Sequence, residues 1–311
     1  SRGTINSGCV RNRGYELEIT ATPVLTRDFR WNTTLTWSKN DNKILSLAEG
    51  ADENQVISTV GTASIIGRVG GTTGDLWGYK LVRDPEGNVV IGDNGLPEQA
   101  DEIEYVGTAY ADWKAGWYNE FSYKGFKLGI LLDGQVGGTI YSMSFHKMME
   151  QGKLTQSLNG RLLGTEYYMD ASDPRIAAAG YTPQSGMYMI APGVVRNDDG
   201  TFSPNTKVVT IESFYKEYYR RANVETNSFD ASFLKIREIR LEYELPKKVL
   251  EKSPFSKASI AVYGRNLWCF TDYPLFDPES VALDGSSMVS GIETGSLPTT
   301  RTFGFNLNLT F

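Results

Sequence analysis

Seven segments of this 311-residue chain alternate apolar and polar residues with a period of two, and the connections between them alternate in length. The segments are 15–22, 29–38, 117–123, 126–136, 233–245, 258–267 and 302–311. Short connections (24–28, 124–125 and 246–257) join the first to the second, the third to the fourth and the fifth to the sixth. Long ones (39–116, 137–232 and 268–301) stand between those pairs. Connections of that length are unusual in a compact soluble domain. A soluble sandwich has no reason to gather all its long connections at one end. A transmembrane barrel does, because its short turns face the periplasm and its long loops face outside. The parity therefore predicts an all-β chain, an antiparallel transmembrane β-barrel with long extracellular loops and a carboxy-terminus on the periplasmic side.

The last segment, TFGFNLNLTF, shows the pattern most cleanly. Phe303, Phe305, Leu307, Leu309 and Phe311 share one face, while Thr302, Gly304, Asn306, Asn308 and Thr310 share the other. Its length suits a tilted transmembrane strand, which needs about 9–11 residues. Charged residues of the other segments (Glu16, Glu18, Glu120, Asp133, Glu238, Arg240, Glu242 and Glu244) all lie opposite the apolar face. That placement suits a wet lumen, since a basic residue in lipid at mid-depth costs about 2–4 kcal/mol. Trp31, Trp37, Trp117, Tyr123, Tyr243 and Phe311 fall near predicted strand ends, where aromatic girdles form. Near Leu234 and Ile236 the alternation slips, the signature of a bulge or of the exit from the membrane. Seven strands cannot close a membrane barrel, and open edges are not tolerated in lipid. The chain therefore reads as part of a larger barrel.

Composition removes other classes. Hydrophobic residues are 40% of the chain, low for a large soluble core, and no apolar run is long enough for a transmembrane helix. A net charge of -6 argues against nucleic-acid binding through a basic face. Cys9 and Cys269 are too few for a disulfide scaffold. His146, the single histidine, lies in a polar stretch and reads as a solvated surface residue. No metal site or cofactor is expected: DPEGN (84–88) and NDDG (197–200) lack the EF-hand spacing and read as turns, the first closing an extracellular hairpin. The opening residues run straight into a strand, which reads as a start inside a domain, with any targeting segment removed or upstream.

Five blocks then resemble one family. The stretch SFDASFLKIREIRLEYELPKKVL (228–250) is similar to a signature near the end of SusC/RagA-type TonB-dependent transporters. YGRNLWCFTDYPLFDPE (263–279) resembles the block that follows it there, and LPTTRTFGFNLNLTF (297–311) resembles the close. Upstream, NSGCVRNRGYELEI (6–19) and WYNEFSYKGFKLGILLDGQVGGTIYS (117–142) resemble earlier blocks, and all five occur in family order. The resemblance implies a 22-stranded barrel in the bacterial outer membrane, with residues 1–311 as its carboxy-terminal part and the plug and TonB box absent from this chain. Within the blocks, Arg265 and Asn266 read as the outer end of a strand, Pro246 as the start of a periplasmic turn, and Asp277, Pro278 and Glu279 as loop architecture. Lys235, Arg237, Glu238, Arg240 and Glu242 read as lumen wall against a plug.

The implied function is active uptake of a bulky nutrient, a glycan or an oligopeptide. The implied partners are a SusD-like surface lipoprotein, TonB through the missing amino-terminal part, the remaining barrel portion and the barrel-assembly machinery. An adhesion barrel without transport is the alternative. An enzyme is disfavoured, because no nucleophile, base and orienting group stand together. Trp77, Tyr79, Tyr105, Tyr110 and Trp113, in the first long connection, are the candidate substrate-binding aromatics, suited to stacking on sugar faces or gripping peptide side chains. Phe311 is the candidate assembly signal. Its deletion is expected to lower outer-membrane abundance, measured by quantitative immunoblot, more than it lowers substrate affinity. Unchanged abundance would refute that role.

Overall fold

All seven amphipathic segments lie in one antiparallel sheet, in chain order. The computed structural model of the chain describes residues 8–280, 282–284 and 287–311. Residues 1–7, including Asn6 and Ser7 of the first resemblance block, lie outside them. The strands are β1 (Gly8–Leu25), β2 (Phe29–Leu47), β3 (Trp113–Tyr123), β4 (Phe126–Val136), β5 (Phe233–Glu244), β6 (Lys257–Phe270) and β7 (Thr302–Thr310). Both β1 and β2 run well beyond the expected 15–22 and 29–38. Alternation fades there because the extra length carries polar residues that pair with each other: Arg11 Nη2 lies 3.5 Å from Asp41 Oδ2, and Asn42 Nδ2 donates to Asn12 Oδ1 at 2.9 Å. The ribbon thus outlasts the apolar span and stands above it.

Register explains why one face is apolar throughout. Val24, Trp31, Phe121, Leu128, Leu241, Val262 and Phe305 form one row across all seven strands. On the opposite face, Asn32, Glu120, Gly129, Arg240, Tyr263 and Gly304 form a polar row. Antiparallel pairing keeps side chains of one parity together, so each strand's pattern is copied to the next. No described residue covers the apolar face of the last strand: Phe303 is 71% exposed and Phe305 is 73% exposed. A soluble sandwich would bury that surface. An outer-membrane barrel leaves such a surface to lipid.

The turn between β3 and β4 consists of Lys124 and Gly125, with φ of 45° and 89°. Two left-handed residues match the right-handed twist of a two-residue hairpin. Phe126 and Tyr243 pack beside it with ring centroids 4.4 Å apart, and Phe255 meets Phe311 at 5.0 Å, forming an aromatic belt at the short-turn end. Trp117 does not belong to a girdle. Because β3 begins at Trp113, Trp117 lies mid-strand, where its indole Nε1 donates to Thr33 Oγ1 at 2.9 Å. Trp31 likewise donates to Asn119 Oδ1 at 3.0 Å. Thr33 and Asn119 are paired neighbours on the lipid face, and the two indoles converge on them from rows on either side. Asn119 is only 5% exposed as a result.

At the other end the three long connections (48–112, 137–232 and 271–301, called the first, second and third loops) fold together into a cap. One core gathers around helices α1 (Met143–Glu150) and α2 (Ile211–Tyr218), with Phe145, Met149, Phe214 and Tyr215 buried beside Ile91 of the first loop and Leu275 of the third. A second joins Ala63, Ile65 and Leu76 to Tyr141, Val224 and Ile292. Both cores draw on all three loops. The residues 84–88 turn as expected: Asp84 Oδ1 accepts from the amides of Glu86 and Asn88 at 2.9 and 2.8 Å. Cys9 and Cys269, in β1 and β6, are unbridged. Trp31→Phe is expected to destabilise the sheet by about 1–3 kcal/mol, since lipid offers Asn119 no replacement donor. Thermal unfolding in detergent tests this, and adding Asn119→Leu should restore most of the loss.

Candidate functional site

Where the sheet meets the cap, β5 changes phase. Pairing with β4 runs Ile236 to Leu132 and then Glu238 to Leu131, leaving Arg237 as an extra residue. This is the bulge that the slipped alternation anticipated, and it places Arg237 and Glu238 consecutively toward the polar side. Glu238 is then engaged by Arg265, whose Nε donates to its Oε2 at 2.6 Å. Arg237 donates through Nε to Asp133 Oδ2 at 2.8 Å and through Nη2 to both carboxylate oxygens of Glu279 at 2.8 and 2.7 Å.

Lys235 lies two residues before Arg237, on the cap side of the bulge. Its Nζ donates to Asp277 Oδ1 at 2.7 Å and also reaches Glu279, while standing 4.6 Å from the Phe233 ring centroid. The Lys235 and Asp277 side chains are 5% and 3% exposed, so this pair is desolvated. Burial on its own would raise the Asp277 carboxyl; the hydrogen bonds from Lys235 and from the Glu279 amide outweigh it and hold the carboxyl below its ordinary value. Breaking one partner of such a pair costs far more than an exposed bridge does, since a buried charge is left unpaired. The Asp277-Pro278-Glu279 motif is therefore loop architecture, as expected. Lys235 and Arg237 are not free lumen wall awaiting a plug. Their charges are committed to the chain's own third loop.

The third loop has a second anchor. Glu293, 1% exposed, accepts from Ser142 Oγ and Ser144 Oγ at 2.7 Å each and from the Ser296 amide at 2.8 Å. Ser142 is the N-cap of α1, accepting from the Phe145 amide at 3.1 Å. The first turn of α1 has no acidic residue of its own, and Glu293 supplies that charge from across the cap. Sequence reasoning missed this carboxylate, because its partners lie some 150 residues earlier in the chain.

Of the candidate aromatics, Trp77 and Tyr105 come together, edge to face with centroids 6.1 Å apart, and Arg68 lies 5.9 Å over the Trp77 ring. Tyr79 is half-buried two residues on, where its carbonyl accepts from the Val224 amide at 3.0 Å. Tyr110 is tied to Thr73 through its hydroxyl at 2.7 Å and lies against Gly74. Trp113 starts β3 with the parity of Ala115 and Trp117, on the apolar face away from the others. The polar wall of the sheet carries two more tyrosines over glycine gaps: Tyr118 beside Gly129 and Tyr263 beside Gly304. No group of three or more metal-ligating side chains occurs among the described residues.

His146 departs from the sequence expectation. It is 1% exposed rather than solvated, because the polar-looking stretch around it forms α1 and turns it toward α2. Its Nδ1 donates to the Tyr219 carbonyl at 2.6 Å, and Nε2 has no hydrogen-bond partner. Glu150 Oε2 is 3.8 Å away.

Comparison with known proteins agrees with this architecture. No protein-family model matches the chain. It is 26% identical, over 98% of its length, to TonB-dependent receptor P3 of Formosa agariphila, and spans 29% of that protein. It is 25% identical to TonB-dependent receptor SusC of Bacteroides thetaiotaomicron over 44% of its length, which is 15% of that protein. Among solved structures, the RagAB peptide importer in its closed-closed state matches 98% of this chain and 30% of that one, with a TM-score of 0.62 and 16% identity. The chain thus spans less than a third of the relatives it matches.

Burial lowers the His146 pKa below 6.5, outweighing the opposing pull of the Tyr219 carbonyl and Glu150; Lys147 and Arg221 add to the lowering. The unfolded cap therefore takes up a proton more readily than the folded one. Stability from His146 is complete above about pH 6.5 and declines as the pH falls below it. Amide exchange across α1 and α2 is expected to be faster at about pH 5.5 than at about pH 7.5 once corrected for intrinsic rates, and His146→Gln should remove that difference.

Proposed function

We propose that this chain, which belongs to the TonB-dependent receptors of the SusC and RagA kind, supplies barrel wall and outer cap to an active importer of a bulky nutrient. The observation that carries the reading is the two-faced sheet. Uncovered apolar rows on one side suit lipid, charged rows on the other suit a wet lumen, and the loops close over one end only. A receptor that moves cargo across the outer membrane needs all three features.

In this reading residues 1–311 form the carboxy-terminal part of a barrel of 22 strands. Strands β1 and β7 are the two edges of the sheet described here, and in lipid each edge must be paired. The remaining barrel portion pairs with them, and the plug and the TonB-binding segment belong to that portion. TonB draws on the inner-membrane gradient to rearrange the plug. A SusD-like lipoprotein covers the cap, and the barrel-assembly machinery reads Phe311. The cargo is a glycan or an oligopeptide, held at the cap in part by Trp77 and Tyr105, whose angled rings offer one face and one edge to a sugar ring or an apolar side chain. Tyr79, Tyr110 and Trp113 support the cap and its boundary with lipid.

Deletion of the gene is expected to abolish growth on one glycan or peptide source and leave other sources unaffected. Normal growth on every source tested would overturn import and favour adhesion. Changing both Trp77 and Tyr105 to alanine should lower uptake of labelled substrate about tenfold at unchanged outer-membrane abundance.

A further inference from the structure

The third loop touches both the cap-side end of β5 and the N-terminus of α1, whose approaches also pair with each other through Ser228–Asp230 and residues 139–141. At one end, Asp277 and Glu279 hold Lys235 and Arg237. Just before the inner anchor, Tyr273 donates from its hydroxyl to Ser142 Oγ at 3.0 Å, and at the outer anchor Ile292 and Glu293 pair in parallel with Tyr141 and Ser142, so both ends of the loop converge on Ser142. At the other end, Glu293 collects Ser142 and Ser144. From there α1 carries His146 to the carbonyl of Tyr219, which caps α2. The Lys235–Asp277 pair and the bonds of Ser142 to Glu293 and Tyr273 join buried groups, so water does not compete for them, while Glu279 is the more exposed partner.

We propose that the third loop is a strap coupling the lumen-side rim of β5 to the α1–α2 pair of the cap, so that a change at Lys235 and Arg237 alters how tightly the outer helices are held. Two physical features favour this. Ser142 is saturated: it donates to Glu293 while accepting from Tyr273 and from the Phe145 amide, so moving the strap removes part of the α1 cap. Glu293 also supplies a negative charge that the helix's own first turn lacks, so withdrawing it weakens that turn electrostatically. A group in the lumen that competes for Lys235 or Arg237, such as a carboxylate of cargo or plug, would then be felt at the surface without touching it.

The test is hydrogen–deuterium exchange on the purified full-length receptor that contains this chain. Glu279→Gln removes charge from the inner anchor without orphaning the buried Asp277–Lys235 pair. It is expected to speed exchange in residues 143–150 by about three- to thirtyfold, the span of coupling energies through packed networks. Glu293→Gln should do the same, and the double variant should add little to Glu293→Gln alone, since both act through one strap. If Glu293→Gln does not fold, Ser144→Ala, which removes one donor of the outer anchor, takes its place. Faster exchange confined to residues 271–280 in Glu279→Gln would overturn the proposal. So would independent, multiplying effects in the double variant, or equal loosening by Glu18→Gln, which alters the polar wall outside the strap. The readout is exchange and not uptake, so its failure leaves the import reading standing, and the reverse holds.

Discussion

In lipid an unpaired backbone amide has nowhere to go, and that constraint shapes everything else in this chain. It forces the strands into one continuous ladder, and the ladder carries the parity of each strand to its neighbours. Rows of seven apolar residues follow from that without any core to organise them. The same constraint explains Trp31 and Trp117. A polar Asn119 and Thr33 on the lipid face stay satisfied because two indoles turn their N–H groups along the sheet rather than out to an interface. The rings shield the polar atoms with the hydrocarbon-like surface that the site requires.

The cap obeys ordinary aqueous rules. Its cores are assembled from Leu, Ile, Phe and Tyr contributed by loops far apart in sequence, and it buries polar clusters such as Glu293 with its serines. The two regimes meet at Lys235 and Arg237. There a desolvated ion pair does what apolar packing does elsewhere, fixing the third loop to the wall at one orientation. Replacement of such pairs by apolar residues can be neutral for stability in other folds. What the charges add here is direction, because Glu279 is held from two sides, by Arg237 Nη2 and by Lys235 Nζ.

Much of the wall was legible in the sequence. Period-two alternation marked all seven strands in the right order, the unequal connections gave their polarity, and the slip near Leu234 and Ile236 marked the bulge at Arg237. Strand ends were not legible where alternation stops but pairing continues: 8–14 and 39–47 pair through polar side chains, and β3 starts four residues before Trp117. The cap was legible only in its turns. His146 looked solvated because its neighbours in sequence are polar, whereas its neighbours in space are Tyr219 and Glu150, set by a helix–helix contact that no local pattern encodes. The candidate aromatics scattered for the same reason, with only Trp77 and Tyr105 drawn together by strand pairing.

The bulge at Arg237 continues across the sheet. To climb one step of the ladder, β4 passes from Leu131 to Leu132, β5 from Ile236 to Glu238 over Arg237, and β6 from Arg265 to Trp268 over Asn266 and Leu267. Asn266 takes a left-handed φ of 51° to make the extra length fit. Successive staves therefore lengthen at one level only, as the ribs of a fan do. Extra residues inserted this way bend each strand and sharpen its twist at that level. The bend beneath the cap is thus written into adjacent strands by counting residues, independently of whatever the loops above it come to hold.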